Sequence, residues 1–296
     1  MMPAAVQPLR VALGNAPRAR AVKSAAQPPG ASPIDFADIV PIHRAFAPMV
    51  RELRFDLCEL AIATFLQAKA FGKPLVLLPV AVMARFQESA LLCRGDDATI
   101  AGPADLVGKR VGVRAYSQTT GVWLRGELAD EYGVAADSIR WVTFENAHVA
   151  EYADPPWAER ARPGQDMLAM LREGELDAAI GGSEPPDDPS LRTVFSDPDA
   201  AASRFQARHG FMPVNHLLVA RQSLVEAEPE RVAAFCEALV GDGDALPSGR
   251  AALDPAIGLV SRYCLEQGLL PRPLSLAEVW EGLPPQLLSL SRSVRR

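Results

Sequence analysis

Short apolar runs alternate with amphipathic ones along most of this chain, a pattern that predicts an α/β protein of parallel strands covered by helices. The runs LRVALG (9–14), FADIVPI (36–42), LCELAI (57–62), LVLLPVAV (75–82) and SALLCR (89–94) read as strands, with helices over 43–53 and 64–71 between them. After Gly102 and Pro103 a second series begins: RVGVRAY, a helix over 119–132, IRWVTF, DMLAMLREG and LDAAIGG. RTVF, the helical DAAASRFQARHG and the strand HLLVAR follow, and from 223 onward helices dominate, PERVAAFCEALV over 229–240 being the clearest.

Two α/β series, a returning strand and a helical tail predict two lobes with a ligand cleft between them. Lobe one takes residues 1–95 and 212–296, and lobe two takes 96–211. Two polar stretches, 15–33 and 145–166, read as irregular; the second is a solvated loop, with a partner surface or a lid as the alternatives.

The 296 residues suffice for two ordinary domains, and 49% hydrophobic with 22% charged residues is a globular composition. Thirty-six acidic against 30 basic side chains give a formal charge of -6, which argues against a nucleic-acid surface. No apolar run is long enough to span a membrane. The start MMPAAVQPLRVALG shows no secretory signal, so a cytoplasmic location is expected, or a periplasmic one if the true start lies upstream. Cys58, Cys93, Cys236 and Cys264 form no CxxC pair and read as buried thiols. His43, His148 and His209 lack metal-ligand spacing, so no metal is expected, and no motif names a cofactor. The expected partner is a small carboxylate; homo-oligomerisation is left open.

In open α/β sheets ligands collect at the carboxyl ends of strands. Polar residues stand at five such ends: Asn15 and Arg18; Thr64; Arg85 and Ser89; Tyr116, Ser117, Gln118, Thr119 and Thr120; and Ser183 with Glu184. Residues 117–120 open the helix over 119–132, where two readings stand. They cap the helix, or its spare N–H donors and their hydroxyls bind an anion. Arg18 and Arg85 are candidate forks for a carboxylate, whereas Arg125, further along the same helix, is expected to leave ligand affinity untouched. His216, preceded by Asn215 at the mouth of HLLVAR, is the candidate acid or base, because imidazole titrates near neutrality.

The segments FDLCELAIATFL (55–66), YSQTTGVWLRGELADEYGV (116–134), SIRWVTF (138–144), DMLAMLREGELDAAI (166–180) and GFMPVNHLLVAR (210–221) together resemble the 4,5-dihydroxyphthalate decarboxylase family over roughly residues 8–240. The resemblance implies a type II periplasmic-binding-protein-like fold and a non-oxidative decarboxylase acting on a small, hydroxylated aromatic acid, with His216 and Glu184 at catalytic positions and Asn215 at the ligand. This chain departs from the family by carrying Gln87 and Glu88 where Arg-His is usual, and Glu184 where Arg is usual. These exchanges predict a monoanionic ligand over a dianion. A non-catalytic solute-binding or ligand-sensing protein is the alternative.

Overall fold

The computed structural model describes residues 7–25, 33–182, 186–240 and 246–290. In chain order the strands and helices are β1 (Leu9–Ala12), α1 (Pro17–Ser24), β2 (Ile34–Phe36), α2 (Phe46–Glu52), β3 (Leu57–Ala61), α3 (Ile62–Ala70), β4 (Leu75–Ala84), β5 (Leu91–Arg94), β6 (Arg110–Val113), α4 (Thr119–Tyr132), β7 (Arg140–Thr143), β8 (Ala158–Arg160), α5 (Met167–Arg172), β9 (Ala178–Ile180), β10 (Leu191–Thr193), α6 (Pro198–His209), β11 (Val214–Arg221), α7 (Gln222–Ala227), α8 (Pro229–Val240), α9 (Arg250–Glu266) and α10 (Leu276–Val279). No helix among the described residues is long and apolar enough to cross a membrane.

The chain divides into two compact units. Lobe one comprises Met1–Ala84, Val214–Ile257 and Leu274–Arg296; lobe two comprises Arg85–Pro213 and Gly258–Pro273. Pairing accounts for where these limits fall: β5 pairs with β9 and β10, so residues 85–95 go with lobe two. The second half of α9 goes with lobe two through Tyr263 and Gln267, which pack against α4.

The sheet of lobe one has the order β2-β1-β3-β11-β4. β1 runs parallel to β2 and β3, whereas β11 runs antiparallel to β3 and β4. Its apolar face packs Leu9, Val11, Leu57, Leu78, Val80 and Leu218 against Phe235, Cys236 and Leu239 of α8. Such burial is worth roughly 25 cal/mol per Å² of apolar surface removed from water. The sheet of lobe two has the order β10-β5-β9-β6-β7-β8, with β5 antiparallel to both neighbours and the rest parallel. Both sheets are therefore mixed, not purely parallel, and each holds one reversed central strand.

Three local expectations change. The stretch 15–33 contains α1, which starts with Pro17 at its first position, the place where a missing N–H costs nothing, and has no side-chain cap to announce it. Residues 36–42 are not a strand: β2 ends at Phe36, and the chain passes a cis Val40-Pro41 bond into a 3-10 turn, Ile42–Ala45. Within 145–166, Ala158–Arg160 pairs with β7 as the edge strand β8.

Arg125, expected from the sequence to leave ligand affinity untouched, is a buried hub of lobe two. Its Nε donates to Gln267 Oε1 at 2.7 Å, its Nη2 donates to the Tyr116 carbonyl at 2.6 Å, and its guanidinium lies 4.0 Å from the centre of the Tyr116 ring. Gln267 in turn donates to the Val122 carbonyl at 2.9 Å, tying residues 258–273 to α4. Burial pushes the Arg125 pKa down.

Gly126 lets that packing close: a Cβ there would stand 2.2 Å from Cδ2 of Tyr263. Gly126→Ala is expected to lower the stability of lobe two by about 1–3 kcal/mol through overpacking, despite the better helix propensity of Ala. Urea unfolding should show a lower midpoint with an unchanged slope.

Candidate functional site

The reversed strand β11 brings its first residues to the sheet edge where β1 and β3 end. His216 pairs with Ala61 and Leu218 with Glu59, so Glu59 and His216 are diagonal neighbours on one face. Their side chains meet, with His216 Nδ1 at 2.7 Å from Glu59 Oε1. The other carboxylate oxygen, Oε2, accepts from the Gly14 amide at 2.7 Å, just past the end of β1. A Cβ at Gly14 would come within 3.1 Å of that oxygen and 3.2 Å of Ile42, so the close approach calls for glycine. Phe46 sets its ring edge-on to the imidazole at 5.2 Å. The Glu59 side chain is 1% exposed and that of His216 17%.

An ionised Glu59 accepts at both oxygens, so the imidazole places its hydrogen on Nδ1 and leaves Nε2 to take or return a proton. Among the described residues Nε2 has no hydrogen-bond partner. Burial pushes the pKa of neighbouring Cys58 well up, the charge of Glu59 adding to the effect, and its thiol points to the Glu59 carbonyl. It is therefore no nucleophile.

The other predicted residues of lobe one take different roles. Arg18 is buried on α1 and donates from Nη1 to the Ala81 carbonyl at 2.6 Å and to Ser248 Oγ at 3.1 Å, and from Nη2 to the Leu246 carbonyl at 3.1 Å. That is the work of an internal brace. Asn15 is exposed, and its carbonyl accepts from Arg20. Thr64, in the first turn of α3, and Asn215, beside His216 in β11, are both buried.

Lobe two repeats the device. Because β5 is reversed, the turn preceding it lies at the edge where β6 and β9 end. Arg85 reaches across this edge, donating from Nη2 to Thr120 Oγ1 at 3.0 Å and to the Gly182 carbonyl at 3.4 Å, and from Nη1 to the Phe86 carbonyl at 3.2 Å. Its Nε is buried without a partner. Burial lowers the Arg85 pKa, and Glu88 works against that shift. Glu88 is itself buried, its carboxyl pKa pushed up by desolvation, and its Oε2 has no partner.

The N-cap of α4 is Gln118, whose side chain makes no capping bond; Thr119 and Thr120 are the first two helical residues. The Thr120 hydroxyl is occupied by Arg85, not by the helix amides, and its own hydrogen remains to be donated. Ser117 and Thr119 are buried at the same helix start, and Ser89 is half-buried in a 3-10 turn, Glu88–Ala90. Tyr116 is fully buried, its hydroxyl accepting from Trp157 Nε1 at 2.8 Å, so its ring belongs to the core of lobe two. Ser183 and Glu184 lie outside the described residues.

Glu59 and Gly14 escaped the sequence reading. The signal was present, since a lone carboxylate inside the apolar run LCELAI has to be buried with a partner.

No family model matches the chain. A 4,5-dihydroxyphthalate decarboxylase of Comamonas testosteroni is 32% identical over 244 residues, covering 75% of this chain and 70% of the relative. A second, from Pseudomonas putida, is 32% identical over 212 residues, covering 66% and 80%. Among solved structures, the ligand-binding component of an ABC-type import system from Staphylococcus aureus matches with a TM-score of 0.56 at 10% identity, over 97% of this chain and 100% of that one. The periplasmic aliphatic sulphonate-binding protein SsuA of Escherichia coli matches with a TM-score of 0.51 at 16% identity, over 92% and 88%. These structural likenesses carry the fold, a two-lobed type II periplasmic-binding-protein-like α/β class. Sequence identity over most of both curated relatives carries the descent: the chain belongs to the 4,5-dihydroxyphthalate decarboxylase family.

Proposed function

We propose that this protein is a non-oxidative decarboxylase of a small, hydroxylated aromatic carboxylic acid, with His216 as the proton donor. The observation that supports it most is the Glu59–His216 contact, a buried carboxylate holding a partly exposed imidazole by Nδ1. In the reaction, Nε2 of the imidazolium delivers its proton to the ring carbon bearing the carboxylate. The bond from that carbon to the carboxylate then breaks, its electron pair restores the aromatic ring, and carbon dioxide leaves. A ring hydroxyl ortho or para to that carbon supplies the electron density that makes it basic. Glu59 stabilises the imidazolium before transfer and keeps the Nε2 lone pair available for the next solvent proton. Within lobe two, Arg85 and Thr120 offer a carboxylate one cation and one hydroxyl donor.

A solute-binding role shares the same fold, and the matched structures include import-system components. It predicts binding without chemistry. The deciding measurement is a thermal-shift screen of aromatic acids, with carbon dioxide release followed for each hit. Release is expected from at least one hydroxylated benzoate-type acid; stabilisation of the protein without any release would establish the binding reading.

His216→Gln is expected to lower kcat by about a hundredfold or more, the usual contribution of a positioned acid. Glu59→Gln should lower kcat with little change in KM, because the amide keeps the packing but holds the wrong tautomer. Equal kcat in the parent and in folded His216→Gln would remove His216 from the mechanism.

Thr120→Val should weaken carboxylate binding by about tenfold or more, the range of a charge-assisted hydrogen bond, while costing less than about 1 kcal/mol of stability, since Thr120 is not the helix cap. Near neutral pH, calorimetry should find 3,4-dihydroxybenzoate, a monoanion, bound more tightly than the dianion 4,5-dihydroxyphthalate, because Glu88 stands beside Arg85 and offsets its charge. Tighter binding of the dianion would overturn this preference.

A further inference from the structure

The hydrogen bonds that hold His216 do not stop at Glu59. The amide that donates to Glu59 Oε2 at 2.7 Å belongs to the Leu13–Gly14 peptide, which is trans. In a trans peptide the carbonyl of the same unit points the opposite way. There the Leu13 oxygen accepts from Lys23 Nζ at 2.8 Å, and the next carbonyl, that of Gly14, accepts from the same ammonium at 3.0 Å. Ammonium, peptide, carboxylate and imidazole therefore form one unbroken series, with contacts of 2.8, 2.7 and 2.7 Å.

Lys23 is half-buried in the last turn of α1, where a cation complements the dipole of any helix. That ordinary role does not account for where its ammonium goes. It turns back to carbonyls ten and nine residues earlier in the chain, on the loop that leaves β1. Arg20 of the same helix offers a comparison, since its Nη1 donates to the Asn15 carbonyl at 2.6 Å. That carbonyl belongs to the peptide of Ala16, which gives no hydrogen to Glu59. Two cations of one helix thus grip one loop, and Lys23 alone grips the peptide unit that Glu59 depends on.

We propose that Lys23 is a positioning residue for the proton donor: through the Leu13–Gly14 peptide it fixes and polarises the amide that holds Glu59, and thereby the carboxylate that orients His216. A cation on the carbonyl oxygen draws electron density from the amide nitrogen, and so makes the N–H a stronger donor. It also holds the peptide plane, which keeps the N–H aimed at Oε2. A carboxylate fixed at Oε2 has its other oxygen fixed toward Nδ1 of the imidazole. The catalytic consequence rests on the reading of His216 given above, whereas the series of hydrogen bonds is independent of it.

Leu13–Gly14 is the only Leu-Gly pair in the sequence, so isotopic labelling of leucine carbonyl carbons and glycine nitrogens isolates this one peptide in an NMR spectrum. In folded Lys23→Met the Gly14 amide proton is expected to move upfield and to exchange with water about tenfold faster, the scale of losing a charge-assisted hydrogen bond. Nitrogen-labelled His216, in its neutral form, should show both tautomers in place of the Nδ1–H form alone. Arg20→Met removes the neighbouring cation without touching this peptide and should leave both signals at their parent values. Unchanged signals in Lys23→Met, or equal changes in the two variants, would overturn the proposal. Should Lys23→Met fail to fold, the parent decides: a coupling across the hydrogen bond between Lys23 Nζ and the Leu13 carbonyl carbon supports the series, and an ammonium without that coupling overturns it.

These spectra need neither ligand nor turnover, so they stand apart from the decarboxylase reading. Where carbon dioxide release is found, Lys23→Met should lower kcat about tenfold with KM unchanged, while Arg20→Met matches the parent. Altered spectra with unchanged kcat would remove the positioning role and leave the decarboxylase reading in place.

Discussion

A carboxylate with almost no water around it survives only if donors reach both of its oxygens, and the edge of lobe one where β1 and β3 end is organised by meeting that demand for Glu59. The Gly14 amide supplies one donor and His216 Nδ1 the other. Each requirement propagates. Gly14, two residues past β1, brings its amide to Glu59 with little room for a side chain, and β11 must run antiparallel so that its third residue, His216, arrives beside the end of β3. Phe46 then closes the face of the imidazole, which limits its rotation without taking its second nitrogen.

Lobe two solves a related problem with positive charge. Arg125 is buried at the core, where its guanidinium is held by the Tyr116 carbonyl, Gln267 and two aromatic faces. This fixes the direction of α4 at one end of the hub and its contact with residues 258–273 at the other. Arg85 works at the helix start, in a half-buried position where its fork is only partly used. Each of the two arginines leaves one buried nitrogen without a hydrogen-bond partner among the described residues, Arg125 Nη1 in the core and Arg85 Nε at the helix start.

How much of this could be read in the sequence differs by residue. The helix over 119–132 and the strand HLLVAR were legible because their hydrophobic periods are clear and a glycine, Gly133, ends the helix in the left-handed conformation its φ of 68° requires. His216 stood out in the sequence because few residue types titrate near neutrality. Glu59 was overlooked because a strand buried on both faces is recognised by its apolar run, and a single carboxylate inside it reads as an interruption. Arg18 and Tyr116 had the opposite fault: side chains that suit a ligand equally suit the interior, and sequence spacing cannot tell which partner they meet. The reversal of β5 and β11 is a property of long-range pairing, and no local pattern announces it.

The Glu59–His216 pair also bears on whether this scaffold only binds. A buried ionic or hydrogen-bonded pair adds little to the stability of a sheet, since well-packed apolar residues of similar volume are commonly as good or better. A protein that merely clasps a solute has no evident use for a hidden carboxylate that holds one nitrogen of an imidazole. The proposed proton transfer uses an oriented imidazole with a second nitrogen to spare, and here the orienting oxygen lies 2.7 Å from Nδ1 while Nε2 has no partner among the described residues. The type II binding-protein fold supplies the strand edge, but the fold alone does not require that this edge carry an acid. In the proposed decarboxylase, the acid at this edge depends on one carboxylate placed in a strand where the pattern alone would have put another leucine or valine.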